Sequence, residues 1–258
     1  MPSVTPDDRA WPPVLKAKWL TQTFLHWPYP PERIQALLPQ GLVVDQYDEM
    51  AWLTLTPFLM ADVRPPGVPP VPGFTTFPET NLRTYVHRPN GRDGVWMLSI
   101  EVASAMMLAA GRVVGAPYHL GDLSLSEHGG TVVYAGTRRG GEPGYHLVIR
   151  PGERIRPSDR DVWLTSRWRA YTRRLGVLFE TPVEHEPWPL SSAVIEQQSE
   201  TLVSSAGLPA PADDPVVHFS EGVRDVRVGG PRPLLGQRTD DADTADDRPP
   251  HSTGNGRG

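Results

Sequence analysis

Thirty prolines and 24 glycines punctuate the 258 residues of this chain, and the stretches between them are short. Proline locks φ and removes an amide donor, so a chain cut this often has little room for long helices. What lies between the corners mostly alternates apolar and polar. Ala51 to Met60, Glu79 to Arg88, Gly94 to Ala103, Thr131 to Thr137, Tyr145 to Arg150 and Val223 to Val228 each read as strands. Helical signals are fewer. Pro30-Pro31 opens a short helix through Leu38, closed by Pro39 and Gly41, and Ala103 to Val114 reads as a second. Ser158 caps a third that runs through Trp168 to Tyr171, with Asp159 and Asp161 in its first turn, and a fourth spans Glu200 to Ala206. The expected fold is therefore α+β but β-rich, a barrel or curled sheet with a few helices packed outside.

The organisation is simple. Residues 1–13 read as a flexible leader, 14–228 as a single domain and 229–258 as a disordered tail of Gly, Pro, Asp, Arg and Thr with almost nothing to bury. There is no cysteine, which removes disulfides, thiolate metal sites and cysteine nucleophiles together. The net charge is −5 and the basic residues are scattered, so no nucleic-acid partner is expected. The longest apolar run, Ala105 to Ala110, is too short to span a membrane, and the N-terminus lacks a secretory apolar region. A cytoplasmic location follows. Of the 25 basic residues only Lys16 and Lys18 are lysines. That matters because Schiff-base chemistry needs an amine whose pKa can be lowered, which arginine does not supply.

Chemistry is most concentrated in one strand. With a two-residue side-chain period, Glu79, Asn81, Arg83 and Tyr85 share a face, and Thr80, Leu82, Thr84 and Val86 share the other. The polar row is either a solvated outer face or the lining of a polar interior. Just before it, the segment from Arg64 to Gly73 is rich in proline and forms a cavity wall, a lid or a plain surface connection. The eight histidines include no HxH and no HExxH pair, and no P-loop, GxGxxG or GxSxG motif occurs. Neither a metal nor a cofactor is expected.

Several segments in order carry a family resemblance: WLTQTFLHW from Trp19, PERIQALLPQGL from Pro31, FPETNLRTYV from Phe77, and the stretch Gly111 to Gly121 with its Pro-x-x-Leu-Gly corner. WLTSRWRAYT from Trp163, HEPWPL from His185 and HFSEGV from His218 complete it. The pattern resembles the acetoacetate decarboxylase-like superfamily, and within it the uncharacterised bacterial YqjF-like branch, domain of unknown function 2071. The resemblance implies a closed β-cone around a largely apolar central cavity, with the corner at the cavity wall. It also implies roles. Glu79 falls on a cavity glutamate that orients substrate, Tyr118 on the Schiff-base lysine and His119 on the second lysine, while a carboxylate-binding arginine falls near Leu20. Without the amine at Tyr118, Schiff-base decarboxylation is not expected.

The remaining parts suit proton transfer on a small carbonyl or enol compound, as in an isomerase, cyclase or hydratase. Glu79 would be the base, with Tyr118 or His119 the acid or oxyanion donor. Adjacent residues on an extended corner diverge, so only one faces the cavity; by analogy with the lysine it is Tyr118, unless both merely hold the corner. Asn81, Arg83 and Tyr85 would contact substrate; for Arg83 the other reading is a structural pair with Glu79. Arg167 joins them from the third helix, where it shares a face with Trp163 and Tyr171. The alternatives are a non-catalytic pocket for a weakly acidic metabolite and a structural module that self-associates as a homo-oligomer.

Overall fold

Among the described residues, fourteen strands and four short helices follow one another. The computed structural model describes residues 3–71 and 75–234. In order they are β1 (Pro13–Tyr29), α1 (Pro31–Gln35), β2 (Val43–Val44), β3 (Gln46–Tyr47), β4 (Met50–Arg64), β5 (Phe77–His87) and β6 (Asp93–Val102). Next come α2 (Ala105–Val113), β7 (Tyr118–His128), β8 (Thr131–Arg138), β9 (Gly144–Arg154), α3 (Asp159–Thr165) and β10 (Arg169–Arg174). The chain continues through β11 (Val177–Glu184), β12 (Leu190–Glu200), α4 (Leu202–Ser205), β13 (Val216–Gly229) and β14 (Arg232–Pro233). All six strands expected from alternation are present.

The strands form one sheet, and its connectivity corrects the expected closed cone or barrel. In a barrel every strand has two neighbours. Here β6 pairs with β5, β7 and β10, and β13 pairs with β1, β12 and β11. The hydrogen-bonded strands thus make a branched ring, not a barrel, and the protein is mostly β. The segment β13-β1-β4-β5-β6 is common to both circuits and acts as a wall with an interior on each side.

Burial follows from that wall. Residues Ala51 to Phe58 of β4 are buried without interruption, as are Thr80, Leu82, Thr84 and Val86 of β5 and their odd-numbered neighbours Glu79, Asn81 and Tyr85. Alternation sends Leu25, Leu53, Leu55 and Leu82 to one apolar core with Tyr134, Leu147 and Ile149. It sends Phe24, Phe58, Met60 and Phe77 to a second with Val102, Met107, Trp188 and Leu190. Both faces of the wall are therefore inside.

Three further expectations change. The third helix ends at Thr165, although its cap is as read: Ser158 and Asp161 form a reciprocal capping box. Beyond it, Arg169 to Arg174 extend to pair with β11 and β6, so Trp168 and Tyr171 are not helical. Residues 3–12, expected as a leader, are tied to the body. Asp8 bridges Arg92 and Arg232 at 2.9 Å each, Asp7 meets Arg169, and Trp168 Nε1 donates to the Ser3 carbonyl at 2.8 Å. At the other end β13 reaches Gly229 and β14 pairs with β11, so the expected tail begins within the sheet; its residues 235–258 lie outside the described ones. Residues 72 and 73 of the proline-rich connection are also outside them. Among the described residues no helix is long and apolar enough to cross a membrane.

Candidate functional site

The site begins at the polar row of β5. The β4–β5 register is continuous, so Glu79, Asn81, Arg83 and Tyr85 point into the second interior beside Phe58, Thr56 and Thr54. β7 starts at Tyr118 and runs parallel to β6. Ile100 pairs with both Asn81 and Tyr118, which places Tyr118 on the same face as Asn81, one strand removed. The corner before Tyr118 is pinned: Ile100 N donates to Pro117 O at 3.0 Å and Ala116 N to Gly111 O at 3.0 Å. The Tyr118 ring then lies over Gly111 of α2. A Cβ at Gly111 would stand 2.0 Å from Tyr118 Cδ2, so only glycine admits the ring there.

In this position the Tyr118 hydroxyl reaches Glu79 Oε2 at 3.4 Å. Burial lifts the Glu79 carboxyl from 4.5 to about 8, against the opposing pull of Asn81 and Tyr118. Burial, reinforced by Glu79, likewise holds the Tyr118 phenol well above its ordinary value. Near neutral pH the pair is uncharged and Tyr118 keeps its proton to donate.

Arg83 does not pair with Glu79. About 13 Å of strand separates their Cα atoms, and the Arg83 Nε and Nη2 atoms are buried without a hydrogen-bond partner among the described residues. Its guanidinium lies 5.7 Å from the Phe24 ring centroid and 6.0 Å from that of Tyr85. Arg83 and Tyr118 are half-buried, each keeping part of its surface accessible. Of the two readings left open for Arg83, the structure removes the ion pair with Glu79.

The other predicted residues are placed differently. His119 pairs in register with Glu101 on the opposite face, where burial and then Arg138 lower its pKa. Arg138 Nη2 bridges Glu101 at 2.5 Å and Ser99 at 3.0 Å there. His119 therefore does not converge with Glu79. Tyr85 is fully buried, donates its hydroxyl proton to the Leu164 carbonyl and packs on Trp163 at 4.8 Å. Arg167 sits between α3 and β10, bound to Asp45 at 2.8 Å and Asp93 at 2.7 Å, with its guanidinium 4.4 Å from the Trp163 ring centroid. It lines a surface cleft of about 620 Å³ with Asp48, Tyr47 and Trp168, apart from the Glu79 pair. Lys18, two residues before Leu20, is engaged by Asp62 at 2.5 Å.

Sequence reasoning missed the other end of the same interior. His26 and His218 meet there edge to face at 5.3 Å, with Trp188 behind Phe24 at 5.2 Å. His218 Nε2 donates to Asp161 Oδ1 at 3.0 Å. The segments holding Trp188 and His218 carry family likeness, but nothing local marks them as neighbours of His26.

The pattern of the DUF2071 family, described as an uncharacterized conserved protein, matches residues 16–224. YqjF of Bacillus subtilis is 30% identical over 224 residues, covering 85% of this chain and 91% of its own length. Among solved structures, the enduracididine biosynthesis enzyme MppR complexed with pyruvate superposes with a TM-score of 0.63 at 15% identity, over 88% of this chain and 93% of that one. An acetoacetate decarboxylase-like enzyme from Sphingomonas wittichii RW1 gives 0.61 at 18% identity, over 86% and 93%. At these identities the structures share the fold.

Proposed function

The chain belongs to the DUF2071 family, within the acetoacetate decarboxylase-like superfamily, and on that premise we propose that it binds a small carbonyl acid inside and transfers a proton to or from it. One observation carries the reading: a buried carboxyl in contact with a tyrosine hydroxyl faces the same side of β5 as a guanidinium whose Nε and Nη2 atoms are buried without a hydrogen-bond partner among the described residues. Arg83 holds the ligand carboxylate by charge-assisted hydrogen bonds. The ionised Glu79 carboxylate takes a proton from the carbon beside the carbonyl; the C–H electron pair becomes the enolate π bond, and Tyr118 O–H donates to the enolate oxygen. Return of the proton to the same or a neighbouring carbon completes an exchange or an isomerisation. The pyruvate bound to MppR, on the same fold, indicates the size of acid to try first.

No lysine contributes. Lys16 and Lys18 are the only two, both on β1, and Lys18 is held by Asp62. Borohydride with a keto acid is expected to trap no adduct.

The test is solvent deuterium exchange into the methyl group of pyruvate, followed by NMR. Wild type is expected to accelerate it, and Glu79→Gln to abolish the acceleration while pyruvate binding survives. Should Glu79→Gln change affinity alone, with wild type showing no exchange, the interior is a binding site without catalysis.

A further inference from the structure

The histidine end of the interior has a proton inventory that closes on itself. The Leu164 carbonyl only accepts, so the Tyr85 hydroxyl spends its hydrogen there. Thr54 Oγ1, 2.6 Å from the Tyr85 oxygen, must then donate to it. With its hydrogen used, Thr54 Oγ1 accepts from His26 Nδ1–H at 2.8 Å. His26 is fully buried and neutral, so Nε2 carries a bare lone pair, and it has no partner among the described residues. His218 follows the same logic. Its Nε2–H is spent on Asp161, which leaves Nδ1 as a second buried lone pair with no partner among the described residues. Gln22 Oε1, on the same face of β1, is a third such acceptor.

Both imidazoles are thus fixed in tautomer by a second-layer hydrogen bond and present an acceptor inward, an arrangement that is costly in an interior unless something donates to it. The register brings this acceptor group close to Arg83. Arg83, Thr54 and His26 form one cross-strand row over β5, β4 and β1, so two strand spacings, about 10 Å, separate the outer Cα atoms. Phe24, which carries the Arg83 guanidinium, pairs across strands with His218. Trp188 Nε1, a buried donor also without a partner among the described residues, lies behind Phe24.

We propose that His26 Nε2 and His218 Nδ1 form a second subsite that receives O–H or N–H hydrogens from the ligand, so that the substrate is a short carboxylic acid bearing a hydroxyl or amino group. This rests on the proposed binding of the carboxylate at Arg83. The spacing suits an acid of three or four carbons, with carboxylate on guanidinium and donor group on the histidines.

The test compares dissociation constants of pyruvate and 3-hydroxypyruvate, which differ by one donor. Wild type is expected to bind the hydroxy acid about tenfold tighter, the worth of one buried hydrogen bond. His218→Phe is expected to bring the two within about twofold. His218→Asn, which returns an acceptor near Nδ1, retains the preference and covers the case in which the phenylalanine variant folds poorly. Equal affinities in wild type, or a preference that survives in His218→Phe, overturn the subsite. If neither acid binds, the Arg83 reading fails by itself, and hydroxyacetone, with a donor but no carboxylate, decides the subsite. A shift of the His26 and His218 lone-pair nitrogens in ¹⁵N NMR upholds it, and unmoved imidazoles reject it.

Discussion

Glu79 has no cation against it among the described residues, so its behaviour is set by burial, eased by Asn81 and Tyr118. Its folded pKa of about 8 exceeds the ordinary 4.5, so the native state holds the proton more tightly than the unfolded chain. The sign of the linkage is then fixed: stability falls as pH rises from about 4.5 and levels off above about 8. Glu79→Gln removes that loss. Urea titrations are expected to show the variant gaining on wild type by an amount on the order of a few kcal/mol between pH 5 and 9. Parallel curves would refute the buried carboxyl. The same ionisation gates the proposed chemistry, so methyl exchange should climb with pH and reach a plateau above about 8. Strand period alone put Glu79, Asn81, Arg83 and Tyr85 on one face. Whether that face was wet or enclosed was not legible, because alternation reports sides and not what lies beyond them. His26, His218 and Asp161 come from β1, β13 and α3, and no local spacing announces such a meeting.

At the scale of elements, α2 and β7 meet through one missing side chain. In an ordinary helix interior, alanine for glycine stabilises by about 0.5–1 kcal/mol. At Gly111 the new methyl would lie 2.0 Å from the Tyr118 ring, and overcrowding of this kind costs about 1–3 kcal/mol. Gly111→Ala is therefore expected to destabilise on chemical denaturation and to slow exchange by moving Tyr118 off Glu79. Adding Tyr118→Leu should recover stability without recovering exchange; a fully active, stable Gly111→Ala would show that the ring does not need this place. The Gly-Arg ending of α2 and the corner after it were readable, since glycine and proline act locally. The end of α3 was not. Trp163, Arg167 and Tyr171 repeat at helical spacing, but the open edges of β6 and β11 claim the segment from Arg169 onward, and pairing outweighs propensity.

For the whole molecule, six of the fourteen strands were legible from alternation, while the others and the branching at β6 and β13 were not. A third partner for a strand is decided by distant chain. The N-terminal segment shows the same limit, since its aspartates look like solvated charges until Asp7 is seen on the buried Arg169 and Asp8 between Arg92 and Arg232. Asp7→Ala with Asp8→Ala leaves Arg169 only Asp93 and is expected to cost about 1–2 kcal/mol, with earlier proteolytic cutting near residue 10. Unchanged denaturation would mean that the segment adheres without contributing. The wall between the two interiors has a different kind of consequence, one for descent. A one-residue insertion in β4 or β5 would turn that strand's side chains to the opposite face, carrying polar residues of the Glu79 side among the leucines of the first core and leucines to the side of Phe24 and Phe58. Lineages sharing this wall can change their ligand by replacing residues one at a time, whereas lengthening those two strands by a single position requires a bulge to absorb it. Among descendants, strand length there should stay constant long after the chemistry has drifted.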